Sequence, residues 1–293
     1  MTQLQKITIL MRPINLIFAL LTYGLGLGIA RYLGATILLE PQIFGAAIIL
    51  LIMAASALLT EYFRPLNEPI HQDETRKERA ELRSRLLVIS ITFLGTATIL
   101  AILLRSAGFV HLDTAIFLVL FTLLALMNAV PPVRLENRGL GELSTAIQVA
   151  NFSPTLAFLF QYNNLHRILT VYTLPLLFLA LAYYLSTNFP AYSNDLKFER
   201  RSLLVSLTWQ RAVPIHNILL IGAYLFFVCI PFLGFPLQLV WPALISLPVA
   251  AYQVFSLRNL ADGAKPNWPL FSAIATAIFG LTAYSLSLTF WLH

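Results

Sequence analysis

The sequence predicts an all-α, polytopic membrane protein, and three observations support this class. Of its 293 residues, 58% are apolar and only 11% are charged. Apolar windows of roughly 17 to 25 residues recur, each long enough to cross a hydrocarbon core about 30 Å thick. Lysine and arginine collect between alternate windows. We therefore expect one transmembrane domain over residues 1–293.

Nine apolar windows are expected to form transmembrane helices. In chain order they cover 14–32, 42–60, 86–104, 114–130, 143–160, 171–187, 213–233, 237–257 and 270–292. Pro13 suits the first turn of a helix, so the first window is interpreted as a retained helix rather than a cleaved signal. Gly24, Gly26 and Gly28 in this window indicate close packing against a neighbouring helix.

The distribution of basic residues predicts the orientation in the membrane. Sixteen of the nineteen lysines and arginines fall on the face that carries the N-terminus, and Arg31, Arg105 and Arg167 fall on the other. The positive-inside rule places the richer face in the cytoplasm and His293 outside. We expect the plasma membrane of a prokaryote, where anionic lipid headgroups would stabilise the basic stretch 76–85. The pI near 9.6 thus needs no nucleic-acid partner to explain it.

Cysteine and histidine predict neither a disulfide framework nor a metal cluster. The single cysteine, Cys229, falls inside the seventh window. The five histidines are scattered without the spacing of metal ligands, so they are interpreted as loop or interface residues.

The carboxylates share the cytoplasmic face, although acidic residues contribute little to orientation. Eleven of the thirteen lie there, mixed with arginines at the ends of the second, fourth and sixth windows. Such a mixture suits a metal-bound phosphate, because carboxylates hold Mg²⁺ while arginines form paired hydrogen bonds to phosphate oxygens. Ordinary ion pairing within the loops explains the same composition. Spacing alone leaves both interpretations open.

Three cytoplasmic segments carry a resemblance to a known family. TEYFRPLNE follows the second window, PPVRLENRGLGEL the fourth and NFPAYSNDLKFERRSL the sixth, and RPINL opens the first. In this order and on this face they resemble the UbiA superfamily of intramembrane prenyltransferases. The branch most similar prenylates dihydroxynaphthoate in menaquinone synthesis. Because that family has nine transmembrane helices, the resemblance implies a UbiA-type bundle.

The resemblance implies a magnesium site. The family's first acidic motif, NDxxDxxxD, falls on residues 60–68, and its second, DxxxDxxxGKRTL, on residues 191–203. Thr60, Arg64 and Ala191 stand where the family has amide or carboxylate side chains. In the family these acids bind Mg²⁺, which bridges an isoprenyl diphosphate and stabilises its departure. The metal ligands implied here are Glu61, Glu68, Asp195 and Glu199, the first three being the catalytic carboxylates.

Other side chains are assigned to substrate binding by the same resemblance. The expected contacts to diphosphate or to an acceptor carboxylate are Arg64, Arg134, Arg138, Lys197 and Arg201. Arg134 and Arg138 are also explained as topology determinants. Tyr62 and Tyr192 stand beside the acids, where their rings either shield an allylic cation or form an interfacial aromatic belt. Asn188 is costly in an apolar helix unless it is paired, which favours an interior position.

The leading interpretation is a cytoplasm-facing prenyltransferase that joins an isoprenyl diphosphate to an aromatic or other hydrophobic acceptor, as in quinone biosynthesis. The second and sixth helices should then end side by side, so that Glu61 and Glu68 face Asp195 across one cavity. Arg64 leaves two outcomes open, because it either binds diphosphate directly or pairs with the glutamates and blocks the site. The blocked site would belong to an inactive relative that binds an isoprenoid lipid or a partner. A transporter is the third interpretation, but it predicts ionisable residues at the membrane midplane, where the windows have almost none.

Overall fold

The computed structural model describes residues 3–65, 68, 75–162 and 164–293, and every regular element in these ranges is helical. Short 3₁₀ turns join several helices, and a π-helical turn (Gln148–Phe152) joins α6 to α7. The α-helices are α1 (Gln3–Leu10), α2 (Pro13–Tyr32), α3 (Leu39–Tyr62), α4 (Arg76–Ser106), α5 (Leu112–Ala129), α6 (Gly141–Ile147), α7 (Ser153–Leu159), α8 (Arg167–Asn188), α9 (Tyr192–Lys197), α10 (Leu203–Leu207), α11 (Trp209–Cys229), α12 (Leu247–Ala261) and α13 (Trp268–Leu292).

Seven helices in the described part of the chain are long and apolar enough to cross a membrane: α2, α3, α4, α5, α8, α11 and α13. This confirms the predicted all-α, polytopic class, and the protein is an integral membrane protein. The predicted windows 143–160 and 237–257 also fall on helical residues, but there the helix is interrupted. The count of nine spans stays a prediction.

Proline accounts for these interruptions. Pro154 stands in the first turn of α7, directly after the π-helical turn. Pro242 stands in the first turn of a 3₁₀ helix (Trp241–Ser246), and Pro248 in the first turn of α12. Proline has no N–H to donate within a helix, so each of these positions favours the start of a new segment.

Helix α2 packs closely between α7 and α13, and its glycines make this approach possible. A Cβ added to Gly26 would lie 2.0 Å from the carbonyl oxygen of Pro154, far inside van der Waals contact. A Cβ on Gly28 would lie 3.0 Å from the Cβ of Phe290. Close helix packing, which the glycine spacing predicts, is therefore what these residues provide.

The polar segments converge at one end of the bundle. Helix α3 packs against α4, and α8 packs against α11 and α13, around a large apolar core that draws on all of the long helices. At the end where α2 and α6 begin, α3, α5 and α8 terminate. Their connecting segments carry the acidic and basic residues singled out in the sequence, so this end positions the candidate site.

Candidate functional site

A cavity of about 470 Å³ opens at this end, between the starts of α2 and α6 and the end of α8. Apolar side chains, including Ile9, Pro13 and Ile14, form part of its wall. The charged and amide side chains that line it come from segments far apart in sequence. Among them are Arg12, Glu136, Glu142, Asn188, Asp195 and Arg200.

Glu136 is buried at the edge of this cavity, where it is shared by two arginines. It belongs to a 3₁₀ turn (Leu135–Arg138) that follows α5. Its Oε1 accepts from Nη2 of Arg12 and from Nη2 of Arg200, each at 2.6 Å. Burial alone would raise the pKa of Glu136, but the two guanidiniums outweigh burial and lower that pKa to about 2. Glu136 is therefore ionised throughout the physiological pH range.

Arg64 holds a second pair of carboxylates. Its Nη2 lies 2.6 Å from Oε2 of Glu61, and its Nη1 lies 3.3 Å from Oε1 of Glu68. Two longer contacts of 3.8 Å join this group to the first, one from Arg12 to Glu61 and one from Arg200 to Glu68. Three arginines and three glutamates thus alternate in a closed loop, the Arg–Glu ring. Its members in order are Arg12, Glu61, Arg64, Glu68, Arg200 and Glu136.

Backbone geometry positions the ring. Arg12 joins α1 to α2 in the left-handed region at φ 54°, and Glu199, directly before Arg200, has φ 56°. Arg134, near Glu136, has φ 43°. Left-handed conformations are costly for residues with a Cβ, and such strain gathers at functional sites because the surrounding contacts hold it in place. These three residues, one in the ring and two beside ring members, therefore position its side chains at a cost to the backbone.

Helix α4 secures the segment that carries Arg64 and Glu68. Arg79 donates to the carbonyl oxygens of Pro65 at 2.7 Å and Glu68 at 2.6 Å. Arg83, one turn further along α4, donates to the carbonyl oxygen of Arg64. The basic start of α4 therefore satisfies main-chain acceptors in the segment that follows α3.

Of the residues predicted to form the site, Asn188 and Asp195 line the cavity. The Asn188 amide donates to the carboxylate of Glu142, so its polar group is paired inside the bundle. Asp195 is buried, with 7% of its surface exposed. Glu61, Arg64 and Glu68 belong to the ring and do not line the cavity, although Arg200 joins the segment after α8 to Glu68.

The remaining predicted residues lie around the margin of the site. Tyr62 packs edge-on against Phe63, and Tyr192 packs against Trp209. Arg134 is half-buried, and burial lowers the pKa of its guanidinium. Exposed side chains that do not line the cavity are Arg138, Lys197, Glu199 and Arg201. Their proposed roles stay predictions.

Sequence reasoning missed four charged residues of the cavity wall. These are Arg12, Glu136, Glu142 and Arg200. Each stands in a segment that carries the family resemblance: RPINL begins at Arg12, PPVRLENRGLGEL contains both glutamates, and Arg200 follows Glu199. The available signal was the charge of these side chains inside those segments, at positions other than the predicted metal ligands.

The predicted Mg²⁺ ligands are not arranged as a metal site requires. Among the described residues, no group of three or more His, Cys, Asp and Glu side chains could hold a metal ion. Glu61 and Glu136 each hold a guanidinium at 2.6 Å, which a metal would have to displace. Glu199 is exposed, which leaves Asp195 as the predicted ligand on the cavity wall.

Comparisons with known proteins identify the fold. No protein-family model matches the chain, and no curated protein matches it. Among solved structures, a UbiA homolog from Archaeoglobus fulgidus bound to GPP and Mg²⁺ has a TM-score of 0.65 at 16% identity, covering 96% of this chain and 99% of that one. The same homolog bound to Cd²⁺ has a TM-score of 0.52 at 17% identity, with the same coverage. A structure of digeranylgeranylglyceryl phosphate synthase has a TM-score of 0.63 at 13% identity over the whole of both chains.

The class defined by fold and site is therefore an all-helical membrane protein with a polar cavity at one end of its bundle. More particularly, the fold is that of the UbiA homologues, matched over nearly the full length of this chain. Identities this low establish the fold and nothing finer. The dihydroxynaphthoate branch stays a prediction.

Proposed function

We propose that the protein transfers an isoprenyl group from an isoprenyl diphosphate to a hydrophobic acceptor at the cytoplasmic membrane face. One observation carries the proposal: the arginine-lined cavity lies at the converging helix ends of a fold whose solved example from Archaeoglobus fulgidus binds GPP. The positive-inside rule assigns this end to the cytoplasm. The acceptor is aromatic or otherwise apolar, in keeping with the resemblance to quinone-forming prenyltransferases.

Arg12 and Arg200 are the proposed diphosphate contacts. Both line the cavity while contacting Glu136. A guanidinium has five N–H donors, so each arginine can hold Glu136 and a phosphate oxygen together. Their positive charge stabilises the negative charge that develops on diphosphate as the allylic carbon–oxygen bond breaks. No step is assigned to Mg²⁺, because arginines already occupy the ring carboxylates.

Aromatic rings on the cavity wall can stabilise positive charge on the allylic carbon of the isoprenyl diphosphate. Tyr183 and Tyr184 on α8 both line the cavity. The face of a tyrosine ring attracts positive charge, so these rings can stabilise a developing allylic cation. In this proposal they take the cation-shielding part that was one of two alternatives for Tyr62 and Tyr192.

The proposal is tested in lipid nanodiscs with radiolabelled isoprenyl diphosphates of several chain lengths. Each is offered with a panel of hydroxylated naphthoates, benzoates and lipid alcohols, and labelled product is measured. Arg200→Ala should lower transfer by about 10- to 100-fold, the value of a charge-assisted contact. Exposed Arg258 on the same face provides the matched control, Arg258→Ala, which should leave the rate unchanged. Absence of product with every pair would overturn the proposal.

One observation favours a second candidate function, that of an inactive relative. Arg64 sits between Glu61 and Glu68, the contact expected of a blocked acidic motif. An inactive relative of this kind would bind isoprenyl diphosphate or an isoprenoid lipid without transferring it. Saturable binding of GPP to wild type, with no labelled product from any acceptor, would favour this candidate over the enzyme.

A further inference from the structure

Glu142 lines the cavity and is not a member of the Arg–Glu ring. It stands at the start of α6. Its Oε1 accepts from the amide of Asn188 and from the backbone N–H of Leu203, the latter at 3.2 Å. Its Oε2 is enclosed and has no hydrogen-bond partner among the described residues. One oxygen is thus fixed by two donors while the other is left to a ligand.

A second enclosed polar atom lies in the same cavity wall. Tyr184 is 7% exposed, and its hydroxyl likewise has no hydrogen-bond partner in the described part of the chain. Buried polar atoms are rarely left unpaired, because losing water without gaining a partner costs free energy. Two such atoms on residues that line one cavity point to a polar ligand group that pairs with them.

The carboxylate of Glu142 determines which kind of ligand group can bind to it. A carboxylate oxygen accepts hydrogen bonds and repels an anion, so diphosphate belongs beside Arg12 and Arg200 instead. A neutral hydroxyl donates to Glu142 and can still accept from the Tyr184 hydroxyl. The cavity therefore offers an anion-binding part and a separate part for a hydroxyl.

We propose that Glu142 is a catalytic proton acceptor and that the acceptor substrate presents a hydroxyl group to its Oε2. This inference rests on the proposed prenyl transfer. The hydroxyl oxygen forms a bond to C1 of the isoprenyl diphosphate while the bond from C1 to the diphosphate oxygen breaks. The electron pair of that bond leaves with diphosphate, toward Arg12 and Arg200. The hydroxyl proton passes to Glu142, and the product is an ether.

The surroundings of Glu142 support this role. Burial raises the pKa of its carboxyl, and the nearby negative charge of Glu136 raises it further. A carboxylate with a raised pKa is a stronger general base than an ordinary one. The titratable groups that share the cavity with it are Arg12, Glu136, Tyr183, Tyr184, Asp195 and Arg200.

Matched ligand pairs test hydroxyl recognition without turnover. The probes are phenol against anisole and 1-naphthol against 1-methoxynaphthalene, titrated into the protein in nanodiscs. Wild type should prefer the hydroxyl member of at least one pair by about tenfold, the value of a charge-assisted hydrogen bond. Glu142→Gln keeps an oxygen for Asn188 but offers N–H in place of Oε2, so it should lose that preference. Glu40→Gln, at an exposed site, is the matched control.

The binding assay tests the role of Glu142 separately from prenyl transfer. Equal binding within both pairs, or a preference that survives in Glu142→Gln, overturns the role of Glu142 whether or not transfer occurs. In the transfer assay, kcat of wild type should rise with pH as Glu142 ionises. Glu142→Gln should have a lower kcat that no longer rises with pH. Its KM for the isoprenyl diphosphate should be unchanged. Glu142→Asp should recover the pH dependence at a reduced rate. A wild-type pH profile in Glu142→Gln would overturn the proton-transfer step.

Discussion

Replacing Glu136 by glutamine tests how strongly the Arg–Glu ring holds the site together. The change keeps the shape of the side chain and removes the charge that Arg12 and Arg200 share. The pKa of Glu136 is about 2, against 4.5 for the ordinary carboxyl. At ~1.4 kcal/mol per pH unit, the ionised form is favoured in the folded protein by about 3 kcal/mol. Glu136→Gln should therefore lower the free energy of unfolding at pH 7 by about 3 kcal/mol, the low end of the cost of breaking a buried ion pair.

The pH dependence has a definite sign. Because folding lowers the pKa of Glu136, its contribution is fully present above about pH 4.5. It is lost as the pH falls from about 4.5 to about 2, where the carboxyl takes up a proton in the folded state. The difference in stability between wild type and Glu136→Gln should therefore shrink across this window. Carboxylates outside the ring titrate alike in both proteins, so their contributions cancel in the difference.

Unfolding in mixed micelles of dodecyl maltoside and dodecyl sulfate, followed by circular dichroism, measures this difference. Glu81→Gln, at an exposed position on α4, is the control and should stay within about 0.5 kcal/mol of wild type. If Glu136→Gln is as stable as that control at pH 7, the ring does not stabilise the fold. A wild-type advantage that stays constant from pH 4.5 to pH 2 would refute the assignment of the low pKa to Glu136.

Three further predictions concern the metal, the ring and the packing of α2. Because arginines hold the ring carboxylates, GPP should bind in EDTA as tightly as in Mg²⁺, and calorimetry showing binding only with Mg²⁺ would contradict this. Arg64→Asp removes the guanidinium that holds Glu61 and Glu68 and adds a third carboxylate. When Mn²⁺ is added, the electron paramagnetic resonance spectrum of this variant should show bound metal, and that of wild type should not. Gly26→Ala sets a Cβ 2.0 Å from the Pro154 carbonyl oxygen and should cost about 1 to 3 kcal/mol of stability. Gly95→Ala, with no atom within 4 Å of the added Cβ, should gain up to about 1 kcal/mol in the same unfolding assay.

Hydropathy predicts most of this fold because a membrane span must satisfy its backbone within one helix. The windows 42–60 and 171–187 fall inside α3 and α8, which are long and unbroken. Window 237–257 is also apolar, yet Pro242 and Pro248 divide it into a 3₁₀ helix and α12. An average over side-chain hydropathy does not register a missing backbone donor, so it cannot separate a continuous helix from two shorter ones.

The site was predictable only where its contacts are local. Arg64 follows Glu61 by three residues and precedes Glu68 by four, so their pairing lies within the reach of sequence spacing. Glu136 and Arg12 are 124 residues apart, and no spacing rule connects them. The segments that carry the family motifs lie at the end of the bundle where the cavity opens, but the choice of partner for each carboxylate depends on which helix ends converge there.

The neutrality of the Arg–Glu ring determines how this site can meet an anion. Three positive and three negative side chains cancel, so the ring as a whole gives diphosphate little long-range attraction. Binding must then come from short contacts to Arg12 and Arg200, the ring arginines on the cavity wall. Pulling either of them away from Glu136 would leave a buried carboxylate less well paired, at a cost that offsets the gain from phosphate. The favourable arrangement keeps Glu136 bridging the two guanidiniums and adds phosphate to their remaining donors. In the proposed function Arg64 therefore positions the ring, while Arg12 and Arg200 are the proposed diphosphate contacts.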